Sequence, residues 1–345
     1  AHLGRNAYGW IVVDGYGFSG APLYDLHQPW GFSVEGSVDA RTRRQIKDGE
    51  VIRWDAAATG EVEQVPRVWG QRSIEIEGLV RRQFQALLVH RLALGVGLTD
   101  DVAEPIAETA LPAALQDAFA REVLPATRRT LFPFVVYQGF GARHRVYEDL
   151  DTFGISESVR LGPSLSVMTG AGSPLALSSS DTVFGAGAVG VALDPWHGLV
   201  EAAAEGSARL EDGVVKNRVL SVRLRLASAP VLAGRLLWRT DATFRKGDET
   251  NTLVTLGGDN GLRGYASREL YDFGASVAQT TLEWRSLPVD LATVQLGLAC
   301  FYDAGAVFTT LDDAVPHHSL GLGVRFLFPQ LNRGVAFVLR KDEQV

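Results

Sequence analysis

The chain has 345 residues with a formal net charge of −7, 21% charged and 46% hydrophobic residues. That balance excludes the basic face a nucleic-acid binder needs, and the single cysteine, Cys300, supplies neither an internal disulfide nor a Cys-rich metal site. No apolar run approaches the length of a transmembrane helix, since the longest stretch, "QALLVHRLALGVGL" (85–98), is broken by His90 and Arg91.

In chain order, "YGWIVVDGYGF" (8–18), "WGFSVEGSVDA" (30–40), "EVIRWDAAATGEV" (50–62) and "RSIEIEGLVRR" (72–82) read as strands, as does "TLFPFVVYQGF" (130–140). Residues 101–128 are rich in Ala and Glu, with Leu111, Leu115, Phe119 and Val123 at helical spacing, and predict a short helical excursion within a loop. No composition shift marks a linker, so residues 1–345 read as one domain.

From about residue 158 the pattern alternates with period 2. In "SVRLGPSLSVM" (158–168) Val159, Leu161, Leu165 and Val167 share a face opposite Ser158, Arg160, Ser164 and Ser166. "LVEAAAEGSARL" (199–210), "RVLSVRLRLAS" (218–228) and "GRLLWRTDATFR" (234–245) repeat the arrangement, with Arg223 and Arg225, then Arg235, Arg239 and Asp241, on their polar faces. Such alternation fits a soluble antiparallel sheet, apolar inside. It equally fits a transmembrane β-barrel, apolar towards lipid and polar towards a wet lumen.

Three details favour the barrel. The segments run roughly 10–13 residues, longer than soluble strands of about 5–6 and close to the 9–11 that cross a bilayer. Their polar faces are charged along the whole length. Short connections ("LDPWHG", "ASAPVLAG", "SLPVDLAT") alternate with longer polar ones ("GAGSPLALSSSD", "EDGVVKN" and a long loop over 246–274). The expected fold is therefore an all-β, antiparallel, up-and-down transmembrane barrel. The seven tryptophans, Trp10, Trp30, Trp54, Trp69, Trp196, Trp238 and Trp284, fall mostly near strand ends, which suits interfacial girdles and core packing alike.

Three further strands follow the long loop. "ASVAQTTLEWRSL" (275–287) puts Gln279, Thr281, Glu283 and Arg285 on its polar face. "VQLGLACFYDAGAVF" (294–308) puts Gln295, Gly297, Ala299 and Asp303 opposite Leu296, Leu298, Cys300 and Tyr302. "SLGLGVRFLF" (319–328) alternates likewise. Parity sets Glu283 and Asp303 on the same polar surface.

The loop itself contains "LGGDNGLRGY" (256–265). Its glycines do not form a phosphate cradle, because no Lys-Ser/Thr and no strand-to-helix context follows. Adjacent His317 and His318 lack a third metal ligand nearby in sequence, and no Gly-x-Ser-x-Gly nucleophile motif occurs.

"GGDNGLRGY", "TLEW", "FYDAGAVF" and "LGVRFLFPQLNRG", in that order, resemble the C-terminal barrel of the BamA/TamA superfamily of outer-membrane insertases and two-partner secretion transporters. The resemblance is strong over 250–335, architectural from 158 to 250 and faint before that. It implies a 16-stranded type of barrel whose long loop folds into the lumen. Gly257, Gly258, Leu262, Arg263, Gly264 and Tyr265 are then the loop motif, Glu283 and Asp303 the acidic partners of Arg263, and Phe301 and Gly305 the frame of the aspartate.

The same resemblance implies insertion or translocation of client polypeptides without covalent chemistry, in the bacterial outer membrane. Its partners are membrane lipid, client chains and periplasmic or lipoprotein components, and it implies no cofactor. A passive pore or surface-antigen barrel is the alternative, and an outer-membrane lipid hydrolase a third. Two features depart from the family pattern: no periplasmic POTRA domain is visible, and "GVAFVLRKDEQV" ends with a charged tail and lacks the usual terminal aromatic. About fifteen candidate strands are countable.

Overall fold

The computed structural model describes residues 2–5, 11–21, 28–47, 49–56, 63–106, 113–151, 155–291, 293–328 and 336–344. Fourteen long strands form one antiparallel meander in which each pairs with its neighbour in sequence. They are β1 (Ile11–Ala21), β2 (Trp30–Arg44), β3 (Val68–Gln85), β4 (Val89–Pro105), β5 (Arg128–Phe140), β6 (Ser156–Gly172) and β7 (Thr182–Leu193). The second half comprises β8 (Leu199–Glu211), β9 (Val214–Ala227), β10 (Gly234–Lys246), β11 (Ser276–Ser286), β12 (Val294–Phe308), β13 (His317–Leu327) and β14 (Ala336–Gln344).

The expected sixteen strands and the closed barrel are not what the pairing contains. Among the described residues β1 pairs with β2 and with the short strand His2–Arg5, β14 pairs with β13, and β1 does not pair with β14. The charged C-terminal segment pairs as a strand, in register with β13 from Ala336↔Leu327 to Gln344↔Ser319.

The two faces of the sheet have opposite chemistry, and the apolar one is exposed. Leu94, Val96, Val167, Val189, Leu220, Leu282, Leu298, Leu320 and Leu322 all point to solvent, Leu94 at 60% and Leu322 at 66% exposure. On the alternate positions Arg235, Glu283, Asp303, Ser319 and Arg325 are buried, while Arg223 and Arg239 keep more than half of their side chains exposed. A soluble sheet has the reverse arrangement, because burying apolar surface is what stabilises it. Cys300 lies on the exposed apolar face.

Connectors at one end of the meander, joining β2 to β3, β4 to β5 and β10 to β11, fold against one another. Gln45 Nε2 donates to Asn251 O (3.3 Å) and Asn251 Nδ2 to Leu124 O (3.0 Å). The Arg67 guanidinium stacks 3.6 Å over the Phe273 ring; burial pulls its pKa below the ordinary arginine value, against the opposing charges of Glu122 and Tyr271. Strands remote in the meander therefore have neighbouring ends, so the sheet is rolled with its polar face inward.

Helix α1 (Ala113–Glu122) is shorter than the expected 101–128 excursion, because residues 101–105 complete β4 and Arg128 opens β5. Leu115, Phe119 and Val123 are fully buried against Trp54, Val65 and Trp69, while Leu111 lies outside the described residues. Burial of Phe119 contributes roughly 1.5–3 kcal/mol, and Trp54 Nε1 is satisfied by Glu122 Oε2 at 2.9 Å. Trp54 and Trp69 are therefore core residues, whereas Trp30, Trp196 and Trp238 are exposed at the opposite end; Trp10 lies outside the described residues.

Three further expectations need correction. Residues 50–56 form no continuous strand: Glu50–Val51 and Arg53–Ala56 belong to small hairpins with Ile46–Lys47 and Glu63–Pro66, and 57–62 lie outside the described residues. "EDGVVKN" is no long loop but a tight turn at Asp212 (φ 48°) and Gly213 (φ 83°), with β8 and β9 continuing on either side. Residues 89–105, absent from the sequence-based strands, form one of the longest strands. Its inward Gly95 and Gly97 leave room for the Phe134 and Phe132 rings of β5.

Candidate functional site

The β10–β11 connector carries a short hairpin, Leu253–Leu256 with Leu270–Phe273, which packs on β11 and β12. Leu256 reaches β12 because position 305 has no side chain: a Cβ on Gly305 would stand 2.6 Å from Leu256 Cδ2. At the neck, a Cβ on Gly258 would meet Tyr265 O at 2.4 Å, and Gly258 N–H donates to Ala266 O at 3.1 Å. Gly257 O accepts from Asn260 N (3.1 Å) and Leu262 N (2.9 Å), closing a compact turn over the fully buried Leu262. Gly264 has φ 95°, a region costly for residues with a Cβ. The glycines thus pinch the loop until Arg263 stands at its inner tip.

Strand register prepares the receiving surface. Glu283 on β11 lies directly across from Phe301 on β12, and Asp303 follows Phe301 on the same face after one residue. The Arg263 guanidinium lies 3.5 Å over the Phe301 ring. Asp303 Oδ2 accepts from Arg263 N (3.2 Å) and Nε (2.8 Å), and Oδ1 accepts from Nη2 (2.8 Å). Glu283 Oε2 accepts from Arg263 Nη1 at 3.0 Å. Burial works against the charge of Arg263, but Asp303 and then Glu283 outweigh it and hold its pKa above the ordinary arginine value. Tyr265 meets the His317 ring edge to face at 5.8 Å.

The structure thus brings Arg263, Glu283, Asp303, Phe301 and the loop motif into one cluster, with Gly305 admitting the hairpin beside it. His317 and His318 diverge: His317 packs on Tyr265, and His318 Nδ1 lies 2.7 Å from the Tyr302 hydroxyl on the other face.

Sequence reasoning had no means of finding what lies beyond Glu283. Its second oxygen, Oε1, accepts from Arg285 Nε at 2.6 Å, and Arg285 Nη1 donates to Leu150 O (3.2 Å) and Asp151 O (3.1 Å). Leu150 and Asp151 belong to a strap between β5 and β6, which follows a short strand (Arg143–Glu148) paired with β6. The strap crosses the polar face: Arg235 Nη2 donates to Glu148 O (3.2 Å), and Arg225 Nη2 lies 2.8 Å from Asp151 Oδ1. It is anchored by the fully buried Leu150 among Tyr147, Leu161, Ala192, Leu199 and Ala227. Parity set Arg225 and Arg285 on the polar face, but nothing in the sequence pointed to residues 148–151.

Loop and strap approach from opposite ends and leave between them a cavity of about 310 Å³ walled by Asp151, Arg225, Arg239, Arg263, Glu283 and Arg285. Ion pairs among these side chains hold the two inward segments against the wall. No family model matches the sequence, and no curated protein is significantly similar to it.

Proposed function

We propose that this chain is a transmembrane β-barrel of the bacterial outer membrane, of the BamA/TamA type, which assists insertion or translocation of polypeptides without covalent chemistry. The observation that carries the reading is the inversion of the two faces: a band of exposed Leu and Val residues surrounds a charged inner surface. In lipid the band is solvated by acyl chains, and the backbone groups are satisfied by the strand ladders.

The Arg263 cluster supports the family assignment. Motif arginine, strand glutamate and the aspartate of "FYDAG" meet in one hydrogen-bonded set, at the residues for which the resemblance implies contact. In this reading the open edges at the two ends of the meander form a weak seam, and the seam admits client strands by edge pairing. The loop and strap hold the lumen narrow while no client is engaged.

The test has two stages. The purified chain is folded into phosphatidylcholine vesicles and floated, where failure to insert overturns the membrane reading. Photocrosslinkers along β1 and β14 then report clients during assembly of a nascent outer-membrane protein. Insertion without client capture leaves the passive pore as the function.

A further inference from the structure

The outward face carries, at the end where the long connectors lie, a chemistry that neither loop nor strap uses. On β3, β4 and β5 the outward row Ile76–Leu98–Leu131 is followed one step further by Ile74–Asp100–Arg129. Arg72 lies two residues beyond Ile74 on the same face. Arg129 Nη2 and Arg72 Nη2 both reach Asp100 Oδ2, at 2.9 and 3.5 Å, while their side chains stay 54% and 52% exposed. One buried carboxylate thus holds two half-exposed guanidiniums at the edge of the apolar band, and Glu104, two residues past Val102 on the same face, brings the local charge to balance.

The same step recurs on β9 and β10. Leu220 pairs with Phe244 on the outward face, and two residues further Arg218 stands directly across from Lys246. Like charges face to face destabilise a strand pair unless an anion lies between them, and among the described residues neither makes a salt bridge to a carboxylate. At the opposite end the outward positions Trp30, Phe84 and Trp238 are exposed aromatics, and an arginine among them, Arg82, lies over the Trp30 ring at 5.0 Å. Beside Arg72 an open groove of about 450 Å³ is floored by Ala40, Gly70 and Val102, with Glu104 on its rim.

We infer that this rim binds the phosphate-bearing lipid headgroups of the leaflet it faces, with Arg72 and Arg129 as the principal clamp. The inference rests on the membrane reading above. A guanidinium offers a planar fork of N–H donors that matches phosphate oxygens, and Asp100 occupies a single nitrogen of each. The exposed Leu94 and Val96 and the neighbouring Leu98, just below, supply the acyl-chain half of the site. A lipid satisfies both halves; a free anion satisfies one.

The test is native mass spectrometry of the detergent-solubilised full chain titrated with a diphosphorylated lipid A, the same lipid dephosphorylated, and inorganic phosphate. The diphosphorylated lipid should bind, and R72Q/R129Q should weaken it roughly thirtyfold, each arginine near an anionic lipid surface contributing about fivefold. R72Q/D100N/R129Q, which leaves no orphaned carboxylate, should lose as much. Equal binding of the dephosphorylated lipid, displacement of the lipid by inorganic phosphate, or an undiminished triple variant overturns the site. Flotation with phosphatidylcholine vesicles separates the two levels. Wild type that inserts but ignores lipid phosphate refutes this inference alone, and wild type that does not insert refutes the membrane reading beneath it.

Discussion

Asp303, with no solvent exposure, accepts both the side-chain fork and the main-chain N–H of Arg263. A carboxylate buried in this way is stable only while its cation stays in place. Asp303→Ala and Arg263→Ala should each destabilise the fold by about 3–5 kcal/mol, the cost of breaking a buried pair from one side. Arg263→Lys should recover little, since an ammonium cannot span Asp303 and Glu283 while lying on Phe301. Urea unfolding of the folded protein measures this, and a double-mutant cycle giving no coupling between Arg263 and Asp303 would refute it.

Glu283 joins loop to strap, with Arg263 on one oxygen and Arg285 on the other. Glu283→Gln should therefore raise hydrogen exchange in two segments remote in sequence, 257–265 and 148–151. Asp303→Asn should loosen the first more than the second. If Glu283→Gln changes only the loop, the two are not coupled through this carboxylate.

Gly305→Val would drive a side chain into Leu256 and lift the hairpin from β12. Overpacking of this kind costs typically about 1–3 kcal/mol, and here it also draws Arg263 away from its carboxylates. The thermal transition of Gly305→Val should fall towards that of Arg263→Ala, and combining the two should add little. Full additivity would show that Gly305 serves the strand rather than the loop.

Exposed apolar residues distinguish lipid from water as the outer solvent. Leu94→Arg on a water-exposed surface should change stability little. In a bilayer it should cost about 2–4 kcal/mol near the midplane. Folding yield into phosphatidylcholine vesicles should drop for Leu94→Arg and stay high for an inward Ser166→Arg. Equal yields would argue against a lipid-facing band.

Asp248, at the start of the long connector, gives a pH dependence of definite sign. Burial raises its pKa, but hydrogen bonds from Thr250 and Thr252 outweigh that and leave it below the ordinary aspartate value. Thr252 N donates to Oδ2 at 2.7 Å and Thr250 N to Oδ1 at 3.1 Å. A depressed folded-state pKa means the contribution is complete above the unfolded value of about 3.9 and is lost as pH falls through the folded one. Wild type should lose stability in that acid range more steeply than Asp248→Asn in pH-dependent urea melts.

Legibility differed between halves of the chain. β7 to β13 alternate, and parity alone put Arg225, Arg285, Glu283 and Asp303 on the polar face. β6 departs from its pattern, because the chain changes face at Gly162 (φ 104°), so that Leu161 packs inward under the strap while Leu165 and Val167 face outward. β4 was missed because "HRLALGVGLTD" alternates apolar with small residues rather than with polar ones, its inward Gly95 and Gly97 being chosen to fit Phe134 and Phe132 on the next strand. Residues 211–217 read as a loop because Asp212-Gly213 signals a turn, yet two residues suffice to reverse the chain. The connector 45–67 is built of hairpins too short to leave a periodic trace.

The sequence by itself determined the strand period, the chemistry of each face and the placement of Glu283 and Asp303 on one polar surface. Those properties are local, set by side-chain alternation. Only the tertiary structure decided which face is exposed, how many strands pair, and that Glu283 divides its two oxygens between a loop and a strap. These depend on segments more than a hundred residues apart arriving on one surface, and no pattern within a strand encodes that arrival.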